Sequence, residues 1–148
     1  MAEDYRRVLD DNYLSLAELA CHDADRTPYP VQWRDTRLVQ LAKLFGSLRH
    51  YMGHPLIVSS GYRTPEHQAK LVRSKTGARN SQHVQGRAVD VATPRGRPVA
   101  QFHQEVRVWA KDEPLLGGLG FYSWGIHLDC RQRKNNRLAS WGRNRVEA

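Results

Sequence analysis

The sequence predicts an α+β fold in which a small, antiparallel-rich sheet carries helices packed against it. Three observations lead there. Apolar residues recur at helical spacing in separate stretches, and short β-type runs lie between them. The resulting order (helices, strand, helix, strand, helix, hairpin) has no regular βαβ repeat. At 148 residues the chain suits a single domain over 1–148, long enough to bury a core without disulfide or metal staples.

Residues 1–14 are polar and read as a short helix or arm. Ser15 to Ala20 opens a helical turn, with Ser15 as cap and Glu18 at the capping-box position. Arg26 to Pro30 is a loop, because its two prolines oppose both helix and central strand. From Asp35 as N-cap, Leu38, Leu41, Ala42, Phe45, Leu48 and Met52 repeat on one helical face that ends near Gly53 and Pro55. Leu56 to Ser60 is a short β run closed by Gly61. Pro65 to about Ser74 forms a second helix with proline in its first turn, followed by a polar loop from Lys75 to Ser81. Gly86 to Ala92 alternates as a strand and stops at Pro94. A third helix, from Arg97 or Pro98 to about Ala110, sets Val99, Phe102, Val106 and Trp109 on one face. Leu119 to Tyr122 and Ile126 to Cys130 are two further strands separated by Ser123-Trp124-Gly125, and residues 142–148 form a basic tail.

Net charge is +8, and Arg131, Arg133, Lys134, Arg137, Arg143 and Arg145 crowd the last stretch. Such a balance favours polyanions such as nucleic acid, an anionic membrane surface or the phosphate-bearing polymers of a bacterial envelope, with a merely solvated basic surface as the equal alternative. There is no zinc-finger spacing and no RNP-like aromatic run, so no specific nucleic-acid partner is expected. No apolar run reaches the length of a membrane span, and residues 1–7 lead into a polar stretch with no signal-peptide core. Delivery to a target outside the cytoplasm would then need another route. Cys21 and Cys130 form no CxxC pair and read as free thiols.

Of the seven histidines, His22, His50, His54, His67 and His103 fall in loops or on helix surfaces. His83 differs through its neighbours. Gly86 permits a turn after it, and the extended run that follows brings Asp90 back towards it. On that strand Ala88 and Asp90 share a face. In Ile126-His127-Leu128-Asp129 the apolar and polar residues alternate, so His127 and Asp129 point together, about 6–7 Å apart. Two histidines, one aspartate and an open position form the general pattern of a catalytic zinc site. Spacing alone leaves open that His83 is a loop residue and His127 a satisfied strand histidine.

Four segments, Ser59-Ser60-Gly61-Tyr62-Arg63-Thr64-Pro65, Ser81-x-His83-x-x-Gly86-x-Ala88-x-Asp90, Gly118 to Tyr122 and Ile126 to Asp129, together resemble the M15 zinc peptidases. The narrower resemblance is to the D-alanyl-D-alanine carboxypeptidase-like branch of phage and bacterial wall enzymes, from about Ser15 to Trp141. It implies a hedgehog-like α+β fold with one zinc ion held by His83, Asp90 and His127. It sets Arg63 beside the metal, to bind a substrate carboxylate or stabilise an oxyanion, or else to pair structurally with a carboxylate. Ser81 would orient a ligand rather than act as nucleophile, and Tyr62 and Tyr122 lie in the matching segments as candidates for the substrate side.

Other branches carry a general base two or three residues before the third ligand, where this chain has Trp124 and Gly125. Asp129 is the first candidate to replace it, with ligand orientation as its equal alternative. His103, His54 and Glu113 could also reach the site. The implied activity is that of a monomeric metallopeptidase cleaving the peptide of peptidoglycan, as a carboxypeptidase or cross-bridge endopeptidase. The setting it suggests is a phage endolysin or virion-associated lysin delivered by a holin or the virion. A cytosolic enzyme on another small peptide, a non-catalytic zinc module of the same fold and, more weakly, a nucleic-acid-binding domain are the alternatives.

Overall fold

In the computed structural model, residues 14–74 and 81–146 are described. The expected arm over 1–14, apart from Leu14, and the expected loop, apart from Ser81, lie outside them. Two single 3₁₀ turns, Ala17–Leu19 and Val31–Trp33, precede helix α1 (Arg37–Met52). Strand β1 (Val58–Ser60), helix α2 (Pro65–Arg73), strand β2 (Ala88–Ala92) and helix α3 (Val99–Ala110) follow. The hairpin of β3 (Gly118–Tyr122) and β4 (Gly125–Asp129) and a last strand β5 (Ala139–Trp141) complete the order.

The sheet runs β1-β2-β4-β3-β5. Its first four strands pair antiparallel, and β5 lies parallel to β3, so the sheet is mixed. Register explains how one sheet serves two purposes. Asp90, His127, Gly120 and Trp141 are partners in one row across β2, β4, β3 and β5, and Ala88, Asp129, Gly118 and Ala139 form another. Because side chains alternate along a strand, these two rows share a face. Val89, Val91, Ile126, Leu128, Leu119 and Phe121 point the other way, and all are buried in the core with α1 and α3. The apolar face anchors the sheet, while the opposite face is free for chemistry.

Helix α1 buries Leu38, Leu41, Ala42, Leu44, Phe45 and Leu48, as its spacing predicts, and closes on Gly53 in the left-handed conformation. Its N-cap is Thr36 rather than Asp35. Ser15 and Glu18 do make the reciprocal box, with the Ser15 amide and hydroxyl donating to Glu18 Oε1 at 2.9 and 2.8 Å, but the turn it caps is one 3₁₀ turn long. In α2, Thr64 caps the His67 amide and Pro65 takes the first position, where a missing N–H costs nothing. Only Gln68 of this helix is buried.

Three features depart from the sequence reading. Gly125 pairs with Tyr122, so it belongs to β4 and the hairpin loop is only Ser123-Trp124. His103 is buried on the core side of α3 with Phe102, Val106, Trp109 and Ala110, whereas Val99 is only partly covered. Strand β5 has no counterpart in the sequence reading, since three residues on a sheet edge carry almost no periodic signal. Both cysteines are free, with burial pushing the Cys130 thiol up to about 12.

Candidate metal centre

His83 reaches the chemical face of the sheet from a tight turn over 81–87. The Ser81 hydroxyl accepts from the His83 amide at 3.2 Å, and the His83 carbonyl accepts from the amides of Gly86 and Arg63. Gly86 has φ +68°, and a Cβ there would strike the Tyr29 hydroxyl and the Trp33 ring, so only glycine fits this turn. Tyr29 donates to the Gly86 carbonyl at 2.6 Å and fastens the turn to the core.

Each imidazole is held from behind. The Gly61 carbonyl lies 2.6 Å from His83 Nδ1, and a carbonyl can only accept, so that nitrogen carries the proton. Asp129 Oδ2 lies 2.7 Å from His127 Nε2 and fixes the proton there by the same logic. The inward nitrogens, His83 Nε2 and His127 Nδ1, each sit 3.0 Å from Asp90 Oδ1. One ligand atom from each of these three buried residues lies within 4.8 Å of the others.

Three lone-pair donors facing one another repel unless a cation joins them. In the protein alone a proton on His127 would relieve this. Burial works against that charge, yet the hydrogen bonds and charges of Asp129 and Asp90 outweigh burial and raise the His127 pKa. His83 goes the other way, lowered chiefly by burial. For Asp90, burial pushes up but the two histidines hold the carboxyl well below the usual range. Two borderline nitrogens and one carboxylate oxygen, each oriented by an outer partner, form a donor set that fits zinc.

Arg63 lies beside this cluster. Its Nη2 donates to Asp90 Oδ2 at 3.4 Å, while Nε and Nη1 donate to Ser60 and to the buried Gln68. The structural reading of this arginine is seen here: it pairs with a carboxylate, and that carboxylate belongs to the metal cluster. Asp129 is fully buried and accepts, besides His127, the Arg131 amide and guanidinium, with Nη2 at 2.6 Å. Burial pushes its carboxyl up, but those donors dominate and hold it at about 2. Gly118 faces it from β3, where a Cβ would overlap the carboxylate.

The remaining candidates separate. The Tyr62 ring packs edge-on against Tyr29 and Trp33, and its recorded contacts are with that aromatic group rather than with the metal cluster. Tyr122 stands on the chemical face, stacked on Trp124 and accepting from Trp141 Nε1 at 2.7 Å. His103 spends both ring nitrogens on the Gly125 carbonyl and Asn144, His54 pairs with Arg97, and Glu113 accepts from the Leu115 amide. None of these three contacts the cluster. Trp124 is exposed, and neither it nor Gly125 offers a base.

Arg131, Trp141 and Gln68 are participants that the sequence reading does not single out. The signal that bears on Trp141 is Gly118-x-Gly120, a pair of missing side chains on the chemical face that makes room for Asp129 and Trp141. A cleft of about 640 Å³ lies between α2 and the 81–87 turn, lined by Gln68, Arg73, Ser81, Gln82, Val84 and Arg87 among others, with none of Arg63, His83, Asp90 and His127 on its walls. No helix among the described residues is long and apolar enough to cross a membrane.

No curated protein matches the chain. The model of the peptidase M15 family, whose peptidases are zinc-dependent, matches residues 12–129. That span takes in α1, α2, α3, the strands β1 to β4 and all three convergent ligands. Sequence match, mixed α+β architecture and a His-Asp-His cluster suited to zinc agree, and the chain belongs to the M15 family of peptidases.

Proposed function

We propose that this protein is a zinc metallopeptidase that hydrolyses the peptide part of bacterial peptidoglycan, at D-Ala-D-Ala or at a cross-bridge. The observation that carries the reading is the convergence of His83 Nε2, His127 Nδ1 and Asp90 Oδ1 with every outer nitrogen already committed. When bound, zinc supplies a Lewis acid that polarises a carbonyl and lets water attack near neutral pH. The chain does the rest. Gly61 and Asp129 hold the ligand rings, and Ser81 holds the turn that presents His83. Arg63, half committed to Asp90, places a fixed positive charge beside the centre for a substrate carboxylate or a developing oxyanion.

Asp129 serves as a positioning carboxylate and not as the base. Its oxygens are engaged by His127 and Arg131, and a carboxyl held at about 2 is a weak proton acceptor near neutrality. The absence of a base at positions 124, 125 and 129 favours a second reading, a zinc-holding module of the same fold that does not turn over. A phage endolysin or virion-associated lysin is the setting proposed for the enzyme, supported by the exposed Lys134, Arg137, Arg143 and Arg145, which suit an anionic envelope. Two of the six basic residues counted from sequence do not add to that surface, since Arg131 is tied to Asp129 and Arg133 to the carbonyls of Leu116 and Glu113.

The decisive experiment is digestion of purified peptidoglycan by the zinc-loaded protein, with and without chelator, and mass analysis of the fragments. Chelator-sensitive release of D-Ala or of cross-bridge fragments is expected. An unchanged fragment profile despite one bound zinc per chain would refute the enzyme reading and leave the zinc-holding module.

A further inference from the structure

We infer that the Tyr122 hydroxyl donates a hydrogen bond to the substrate oxygen that gains charge when a carbonyl is attacked at the metal centre, and that Trp141 holds it in place. The inference rests on the peptidase reading and adds to it a donor from strand β3.

Alternation along β3 puts Tyr122 on the same face as Gly118 and Gly120, and Gly120 is the direct partner of His127 on one side and of Trp141 on the other. A Cβ on Gly120 would collide with the Trp141 indole around Nε1, so the indole lies over Gly120. The Tyr122 hydroxyl is 2.7 Å from that same nitrogen. The Tyr122 hydroxyl therefore sits at the edge of the indole that covers Gly120, the strand partner of His127.

The direction of this bond matters. An indole N–H can only donate, so the tyrosine oxygen accepts, and its own proton must point elsewhere. No acceptor for it is recorded among the described residues. Accepting from Trp141 also polarises the hydroxyl and makes it a better donor. The ring cannot wander, because it is stacked on Trp124 with centroids 4.8 Å apart and planes 9° from parallel. At 38% exposure it is nonetheless open to a ligand.

Trp141 joins these parts. Its ring centroid is 5.3 Å from that of His127, and the Arg131 guanidinium lies 5.1 Å from the Trp141 ring. Trp141 belongs to β5, which follows the span matched by the family model. It acts through Tyr122 and is a positioning residue. No bond is made or broken at the tyrosine: it lends a hydrogen bond and keeps its proton.

The test uses two probes on the zinc-loaded protein. One is a phosphinate analogue of a D-Ala-D-Ala dipeptide, which carries the tetrahedral oxyanion. The other is a thiol analogue, which reaches zinc through sulfur and has no such oxygen. Tyr122→Phe keeps the ring and the stack but removes the hydroxyl. It should weaken phosphinate binding about 10- to 100-fold, the worth of one hydrogen bond to a charged oxygen, and leave thiol binding and zinc content unchanged. Trp141→Phe should weaken phosphinate binding less, and the double variant should lose no more than Tyr122→Phe alone.

Phosphinate affinity within about twofold of the parent, failure of the parent to bind phosphinate, or equal loss for both probes would overturn the inference. Independent, additive losses would remove Trp141 from its role. Should the parent leave peptidoglycan uncut while the phosphinate loss appears, the peptidase reading fails and the hydroxyl assignment stands.

Discussion

Removing the Asp129 carboxylate separates the two roles open to it. A base is needed for turnover and not for metal binding, whereas a positioning carboxylate is needed for metal binding first. In the structure the group is fully buried and takes the His127 Nε2 proton at 2.7 Å and the Arg131 Nη2 proton at 2.6 Å. Asp129→Ala leaves the His127 ring free to turn, or to move its proton onto the nitrogen that faces Asp90. Loss of an outer carboxylate of this kind typically costs 10- to 100-fold in metal affinity, or about 1.4–2.8 kcal/mol. Folding should suffer by about 1–3 kcal/mol from the orphaned imidazole N–H, and little from Arg131, whose side chain is 32% exposed and can turn to water. Competition for zinc against a chromophoric chelator measures the first quantity, and denaturant unfolding of the metal-free protein the second. Unchanged zinc affinity with cleavage abolished would refute this reasoning and return Asp129 to the role of base.

Further predictions follow from the same geometry. Gly120→Ala must push the Trp141 indole away from its place over β3, so it should cost about 1–3 kcal/mol and red-shift tryptophan emission; denaturation and fluorescence together check it. Zinc competes with protons for the His127 ring, and because that pKa is raised the competition extends to higher pH than for an ordinary histidine. Zinc affinity should therefore fall as pH drops from about 8 to about 5, as zinc titration at successive pH values would show; a flat profile would contradict it. Arg63→Lys keeps a charge near Asp90 but cannot also reach Ser60 and Gln68. It should lower kcat/KM about tenfold or more while zinc affinity changes less, as paired kinetic and titration measurements would reveal. Chelation should lower Tm without unfolding the chain, with zinc at 100 times its Kd adding about 2.7 kcal/mol, as calorimetry with and without zinc would show.

Much of this architecture is written in local pattern. The face of α1 repeats Leu38, Leu41, Ala42, Phe45 and Leu48, and burial follows that spacing closely. Thr64-Pro65 starts α2 as cap and proline chemistry require. The alternation of Ile126-His127-Leu128-Asp129 marks a strand with one apolar and one polar face, and both faces are used. What pattern could not supply is partnership. That Asp129 lies against His127 and Arg131 depends on rotamers and on the room left by Gly118, neither of which is periodic. His103 shows the converse: its place on the apolar stripe of α3 overrides the general exposure of histidine once Gly125 and Asn144 satisfy its ring. Strand β5 is too short to announce itself, so the contacts of Trp141 with His127 and Tyr122 are not legible in periodicity, although Gly118-x-Gly120 marks the room it fills.

The two faces of the sheet explain why so many unlike demands can coexist here. On the chemical face, three acceptors are forced together, and the Asp129 carboxylate is fully buried beneath a half-buried arginine. Each costs stability when no cation is present, since like lone pairs repel and burial penalises charge. The opposite face carries Val89, Val91, Leu119, Phe121, Ile126 and Leu128, all buried against α1 and α3, and the same strands bear both sets. At about 1.5–3 kcal/mol for each fully buried large apolar side chain, that face offsets the strain opposite it without help from the metal. A fold whose core depended on the ion would have to surrender it to unfold. Here Asp90 and His127 hang on strands that are already fixed and His83 on a turn fastened by Tyr29, so the centre is preorganised and its affinity is set by outer partners such as Gly61, Asp129 and Arg131. The glycines of β3 belong to the same logic: by giving up two side chains on the chemical face, the chain makes room for the carboxylate that orients one ligand and the indole that orients a tyrosine.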